Sequence, residues 1–241
     1  MITGLVAVKK DLRKLANSQK AKLLSGFFKT GKGEYGEGDV FLGVTVPQTR
    51  SVAKRYKDLP LRDVENLLKS KIHEERLCAI LLLVHNYQMG DARKKKEVVG
   101  FYLRNTTRIN NWDLVDLSAH KILGDYFWKN KAGRRTLHKL AGSKNIWERR
   151  IAIISTFEFI RNNYFKDSLK IAEILLRDEH DLIHKAVGWM LREIGKRDLR
   201  TEENFFKKHA SQMSRTALRY AIEKFPDRKR KSYLALPSTP R

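Results

Sequence analysis

The sequence predicts an all-α protein, an α-α superhelix of tandem HEAT-like helical repeats with a concave basic face. Three observations predict it. Apolar residues recur at helical spacing through most of the chain, and no stretch sustains the period-two alternation of a strand. Helix pairs recur at about 35–40 residues, the rhythm of stacked helix–turn–helix repeats. Lys and Arg number 50 against 27 Asp and Glu, a formal net charge of +23 in 241 residues. That excess is far beyond what solubility requires and predicts a polyanionic partner.

The elements follow in order. Helical periodicity covers 5–29, and a stretch with five glycines, TGKGEYGEGDVFLG at 30–43, interrupts it. This stretch reads as a mobile loop between the first two helical layers. It is more simply a plain connector than a ligand contact through Tyr35 or Phe41. Helices at 48–57 and 61–70 are separated by Pro60, and 73–88 stops at Gly90-Asp91. Helix 95–105 precedes Asn110-Asn111, either of which can cap 112–128, with Asp113 favourably placed in the first turn. Helix 133–141 stops at Gly142-Ser143, followed by 146–162, 167–177, 180–196, 202–209 and 214–225, which Pro226 closes. Residues 1–225 therefore read as one repeat domain. Residues 226–241, PDRKRKSYLALPSTPR, read as a frayed basic tail adding nonspecific phosphate affinity.

Composition excludes several classes. Apolar residues make up 41% of the chain, enough for a core, so this is not a disordered basic tail. The only cysteine is Cys78, in the apolar run LCAILLLV, where a small buried residue is expected. An intrachain disulfide or a zinc cluster is thereby excluded, and a reducing, cytoplasmic compartment fits. The N-terminal MITGLVAVKKDLRKL has too short an apolar run, and cations too early, for a signal peptide. No apolar stretch reaches the ~18–20 residues that span a membrane. No GxxxxGK[ST] or HExxH motif is present, so no nucleoside-triphosphate loop or metal site is indicated.

The most informative segment is DLIHKAVGWMLREIGKR at 181–197. Ile183, Val187, Met190, Leu191 and Ile194 form one apolar stripe. Trp189 points nearly opposite it, among Lys185, Arg192 and Lys196. A nucleic acid would supply phosphates for the cations and a sugar or base face for the indole. A tryptophan packed under a neighbouring helix with snorkelling cations around it is the competing reading. In NNWDLVD, Trp112 and Asp116 are four apart and share one helix face at the border of the stripe Val115, Ala119 and Ile122. In NIWERRIAII, Arg150 lies inside the apolar arc and needs an anionic partner, either Asp116 or a phosphate. Arg149 lies nearer the edge. Arg50, Lys54 and Lys57 share a face by i, i+4, i+7 spacing. Arg104 with Arg108, and Arg215 with Arg219, are i, i+4 pairs, whereas Arg93-Lys94-Lys95-Lys96 reads as a solvated helix start.

Taken together and in this order, NNWDLVD, NIWERR, HKAVGWMLRE and SRTALRYAIEKF resemble the AlkD family of DNA alkylation-repair glycosylases. FLGVTVPQTR is similar to the family's early repeat, and the resemblance extends to about residue 225. The resemblance implies that Trp112 and Trp189 face the deoxyribose of the damaged nucleotide and that Asp116 is the catalytic carboxylate. It gives Arg150 to the DNA backbone and Arg192 to the DNA-facing surface. The glycine-rich stretch is longer than the usual family pattern. The implied activity is hydrolysis of N-glycosidic bonds of cationic N3- and N7-alkylated purines in duplex DNA, by a monomer without metal or organic cofactor.

Two other functions share much of this evidence. A helical-repeat module that binds distorted or branched nucleic acid without cleaving it would carry the same cations and aromatics. It gains nothing from a carboxylate facing a polyanion, so Asp116 discriminates. A protein–protein scaffold would want a less basic concave face.

Overall fold

The structure is a computed structural model that describes residues 4–236. Residues 1–3 of the N-terminal segment and 237–241 of the C-terminal tail lie outside the described residues. Two compact units divide the chain, residues 1–118 and 119–241. Among the described residues the backbone is helical with connecting turns, as the periodicity predicts, and the one extended pairing is an isolated bridge between Val40 and Ile72.

The first unit contains α1 (Gly4–Lys14), α2 (Ser18–Phe27), α3 (Val46–Arg55), α4 (Leu61–Leu68), α5 (His73–Met89), α6 (Ala92–Arg104) and the start of α7 (Trp112–Ala119). Its centre is α5, whose LCAILLLV run is buried from Leu77 to Val84 and which packs against α3, α4 and α6. A helix apolar on all sides has to be surrounded. Glu74 and Glu75 at its start are also buried. Lys9 and Arg13 of α1 reach Glu75 at 3.2 and 3.0 Å.

The single helix expected over 5–29 is two helices. Asn17 opens the chain: its side chain caps α2 through the Lys20 N–H at 2.9 Å, and its own N–H donates to the Leu42 carbonyl at 2.8 Å. Gly43, at φ +83°, presses against Asn17 so closely that a Cβ would stand 2.1 Å from its carbonyl oxygen. Glycine is required there. The stretch 30–43 is pinned rather than a free connector. The Glu74 carboxylate accepts the N–H groups of Leu42, Gly43 and Val44 at 2.9, 2.8 and 3.1 Å, and Phe41 is buried. None of the residues of α2 is buried, so this helix covers the unit without anchoring in it.

The second unit starts with a π-helical turn at His120–Gly124. It continues through α8 (Asp125–Lys129), α9 (Arg135–Ala141), α10 (Ile146–Ser155), α11 (Phe157–Arg161) and α12 (Lys166–Ile174). Next come α13 (Asp181–Gly195), α14 (Leu199–His209), α15 (Arg215–Ala221) and α16 (Asp227–Leu234). The helix expected over 112–128 runs without interruption from Trp112 to Lys129 and carries this π turn inside it. The cause of the turn is a close approach: a Cβ on Gly124 would stand 2.4 Å from the Ser155 carbonyl oxygen. The helix expected over 146–162 breaks at Thr156, whose hydroxyl donates to the Ile153 carbonyl at 2.7 Å. At the centre, α13 packs against α10, α14 and α15 with Ile183, Val187, Met190, Leu191 and Ile194 all buried. Gly188 lets α15 approach, since a Cβ there would meet the Ala217 carbonyl at 2.4 Å.

The C-terminal segment differs from the frayed tail expected over 226–241. Residues 227–234 form α16. Tyr233 packs its ring against Phe206 and Phe225 at 5.2 and 5.8 Å, and the Arg215 guanidinium donates to the Leu234 carbonyl.

Candidate nucleic-acid interface and active site

In the first unit the candidate site is built on the opening of α7. Asn111 is fully buried and its Oδ1 accepts the Trp112 N–H at 2.8 Å, while Asp113 Oδ1 accepts the Leu114 N–H at 2.9 Å. Trp112 is half-buried and lies flat on Phe28, with Phe27 edge-on at 5.9 Å. Phe27 itself is 65% exposed. One turn on, half-buried Asp116 shares the face of Trp112. The buried Tyr102 hydroxyl is harder to ionise than usual, mainly through burial; its hydrogen bond with Ser118 opposes this, and the negative charge of Asp116 adds a smaller push in the same direction as burial.

Behind Trp112 lies a buried ionic network that the sequence did not reveal. His73 Nε2 is 2.8 Å from Asp113 Oδ2, and its Nδ1 is 3.3 Å from Asp39 Oδ2. Asp39 also accepts from Arg76 at 2.6 Å and from the Asn111 amide at 3.1 Å. Burial alone would lower the pKa of His73, but the Asp113 charge and hydrogen bonds to Asp113 and Asp39 raise it above its ordinary value, against a lowering push from Arg76. Burial would raise the Asp39 carboxyl, yet the His73 hydrogen bond and the Arg76 charge bring it below the usual range. Beside the network is a cavity of about 320 Å³, walled by Leu23, Leu24, Phe28, Phe41 and Val44 and bounded by His73 and Asp113.

In the second unit Trp189 sits opposite the apolar stripe and is half-buried, as its helical phase predicts. Its Nε1–H donates to Glu193 Oε1 at 3.2 Å and its ring lies 5.9 Å from Phe157. The cations around it are not a bare positive cluster. Lys185 pairs with Asp181 at 2.7 Å, Lys196 with Glu193 at 2.6 Å, and Arg192 with Glu223. Arg150 is only 5% exposed and donates to the Leu182 carbonyl at the start of α13. Arg149 pairs with Asp178 at 2.6 Å, and Arg215 is engaged with α16.

The remaining basic candidates are sorted by helix boundaries. Arg50 and Lys54 are exposed and four apart on α3, but α3 ends at Arg55, so Lys57 does not continue their face. Arg104 closes α6 and Arg108 lies in the 3₁₀ turn Thr106–Arg108, so they are not a helical pair. Arg215 and Arg219 do share α15. In the run 93–96, Lys94 pairs with Glu97 at 3.0 Å and Lys95 stands over the Tyr87 ring at 5.6 Å.

The family described as DNA alkylation repair enzyme matches residues 8–225. The chain belongs to this family. Membership gives it a role in the repair of alkylation damage to DNA. Its fold is similar to that of solved structures of low identity. One, described as a predicted DNA alkylation repair enzyme from Enterococcus faecalis, is 20% identical, with a TM-score of 0.70 over 88% of this chain and 97% of that one. Another, AlkD2 from Streptococcus mutans, is 19% identical, with a TM-score of 0.55 over 92% and 97%. No curated protein matches the sequence. Among the described residues, no helix is long and apolar enough to cross a membrane.

Proposed function

We propose that the protein is a monofunctional DNA glycosylase, acting as a monomer inside the cell on N3- and N7-alkylated purines in duplex DNA. The observation that carries this reading is Asp116, a half-buried carboxylate one turn from Trp112 in a chain of net charge +23. An alkylated purine is already cationic, so it leaves readily. The C1′–N bond breaks with its electron pair going to the base, and positive charge grows on the sugar. Asp116 and the indole faces of Trp112 and Trp189 would stabilise that charge. Water then adds to C1′ and gives up a proton that Asp116 can accept, leaving an abasic site and a free neutral base.

Exposure best supports phosphate contacts from Arg50 and Lys54, while Lys185 would turn to phosphate from its pair with Asp181. The resemblance also gives Arg150 and Arg192 to the DNA, and charge alone suggests Arg215. Each of these three would share its guanidinium with the internal partner described above. No metal or organic cofactor enters the scheme. The rival, a non-catalytic module for distorted or branched nucleic acid, gains nothing from a carboxylate facing a polyanion.

The test is incubation with a duplex carrying one 7-methylguanine. Release of 7-methylguanine together with alkali-labile breaks at that position is the expected result. Tight binding with no base release in a sustained incubation would overturn the glycosylase reading in favour of the binding module.

A further inference from the structure

The buried network and the ring column behind Trp112 meet at one residue. His73 lies 4.6 Å from Phe41 and 5.0 Å from Phe28 between ring centroids, and Phe28 in turn carries the Trp112 indole. The same imidazole is bonded to Asp113 on one side of Trp112 in sequence, while Asp39, at its other nitrogen, holds Asn111 on the other side. We propose that His73 is the positioning residue for Trp112. It ties the glycine-rich loop and α5 to the first turn of α7, and it backs the ring on which the indole lies. Its effect on catalysis rests on the glycosylase reading; its effect on Trp112 does not.

The charges explain why a histidine does this. A carboxylate only accepts hydrogen bonds, so an imidazole serving both Asp39 and Asp113 must donate from both nitrogens. In that form it balances the two buried carboxylates together with Arg76. When His73 is neutral, Nδ1 becomes an acceptor, and Arg76 Nη2 already stands 3.4 Å away to donate to it. Asp113 then faces an uncharged ring. The other charged groups at this place are Glu74 on α5, whose carboxylate is held by backbone N–H groups, and Lys20 on α2 at the cavity rim. Proton loss therefore breaks the Nδ1–H bond to Asp39, the carboxylate that holds Asn111, and leaves Asp113 its Nε2–H bond without the positive charge, so both supports of the first turn of α7 change.

The experiment uses the full chain labelled with 5-fluorotryptophan, its four indole resonances assigned by single Trp→Phe changes. The His73 ring signals and the fluorine signals are followed together from pH 6 upward. The Trp112 resonance is expected to move in step with His73 titration while those of Trp128 and Trp147 stay still. In His73→Gln the Trp112 resonance should be displaced and stop titrating. The kcat for 7-methylguanine release should fall about tenfold with KM little changed, and Asp113→Asn added to His73→Gln should return part of the loss. A Trp112 resonance in the unmodified chain that ignores His73 titration overturns the proposal, whether or not the variant folds. If the unmodified chain releases no base, the glycosylase reading fails and the fluorine titration alone decides the role of His73.

Discussion

Trp112 lies on Phe28 with ring centroids 5.1 Å apart and planes 9° from parallel. One face of the indole is therefore engaged by the protein, and its position depends on a residue from the end of another helix. Stacked aromatic pairs add about 0.5–1.5 kcal/mol beyond their buried area. Phe28→Leu keeps an apolar side chain but removes the flat support. Thermal unfolding should show a loss of about 1–2 kcal/mol. Base release should fall by a larger factor than that loss explains in the folded fraction. Full activity in a variant of lower Tm would mean that Phe28 serves the core alone.

Asp116→Asn separates catalysis from binding. Removing an anion near phosphate should leave DNA affinity equal or tighter. Stabilisation of charge at the sugar is lost, so excision should fall by about 10²-fold or more. Titration of duplex binding alongside single-turnover release of 7-methylguanine checks both halves. Circular dichroism guards against a folding defect, because Asp116 also interacts within the protein. Normal excision would remove the carboxylate from the mechanism.

Much of this site was legible because it is local. Trp112 and Asp116 meet by i, i+4 spacing, and Trp189 is placed by the phase of its own helix. What was hidden joins distant segments. His73 finds Asp39 and Asp113 at sequence separations of 34 and 40, with no spacing rule to link them. The pairing of Arg192 with Glu223, 31 residues on, turns an apparent cation cluster into a charge-balanced one. The π turn comes from the close approach of Gly124 to Ser155, a packing demand absent from helical periodicity. In the same way α16 read as a tail because its Tyr233 packs on Phe206 and Phe225, which no local pattern announces.

Glu202 makes stability depend on pH. It is 1% exposed, against Gly195, and burial first, then the charge of Glu203, raise its pKa from 4.5 to about 8, despite the opposing charge of Arg192. A carboxyl with a raised folded-state value binds its proton more tightly when folded. Its stabilising contribution is complete below the unfolded value near 4.5 and is lost as pH rises through about 8. Glu202→Gln should therefore match the unmodified protein near pH 4 and exceed it at pH 9 by about 1–3 kcal/mol. Urea unfolding at the two pH values measures this, and a variant less stable at pH 9 would contradict it.

Trp189→Ala should leave the fold nearly intact and impair lesion processing. A core tryptophan cut to alanine costs about 3–5 kcal/mol. The Trp189 indole is half-buried opposite the stripe, touching Phe157 and bonded to Glu193, so its truncation should cost less than that. Val187, two residues earlier, is buried in the stripe. Val187→Ala should lower the Tm while preserving base release in whatever stays folded. Trp189→Ala should do the reverse, with a small Tm shift and a large loss of release. A larger Tm shift for Trp189→Ala than for Val187→Ala would make the indole a packing residue. The case for its place at the sugar would then rest on family resemblance alone.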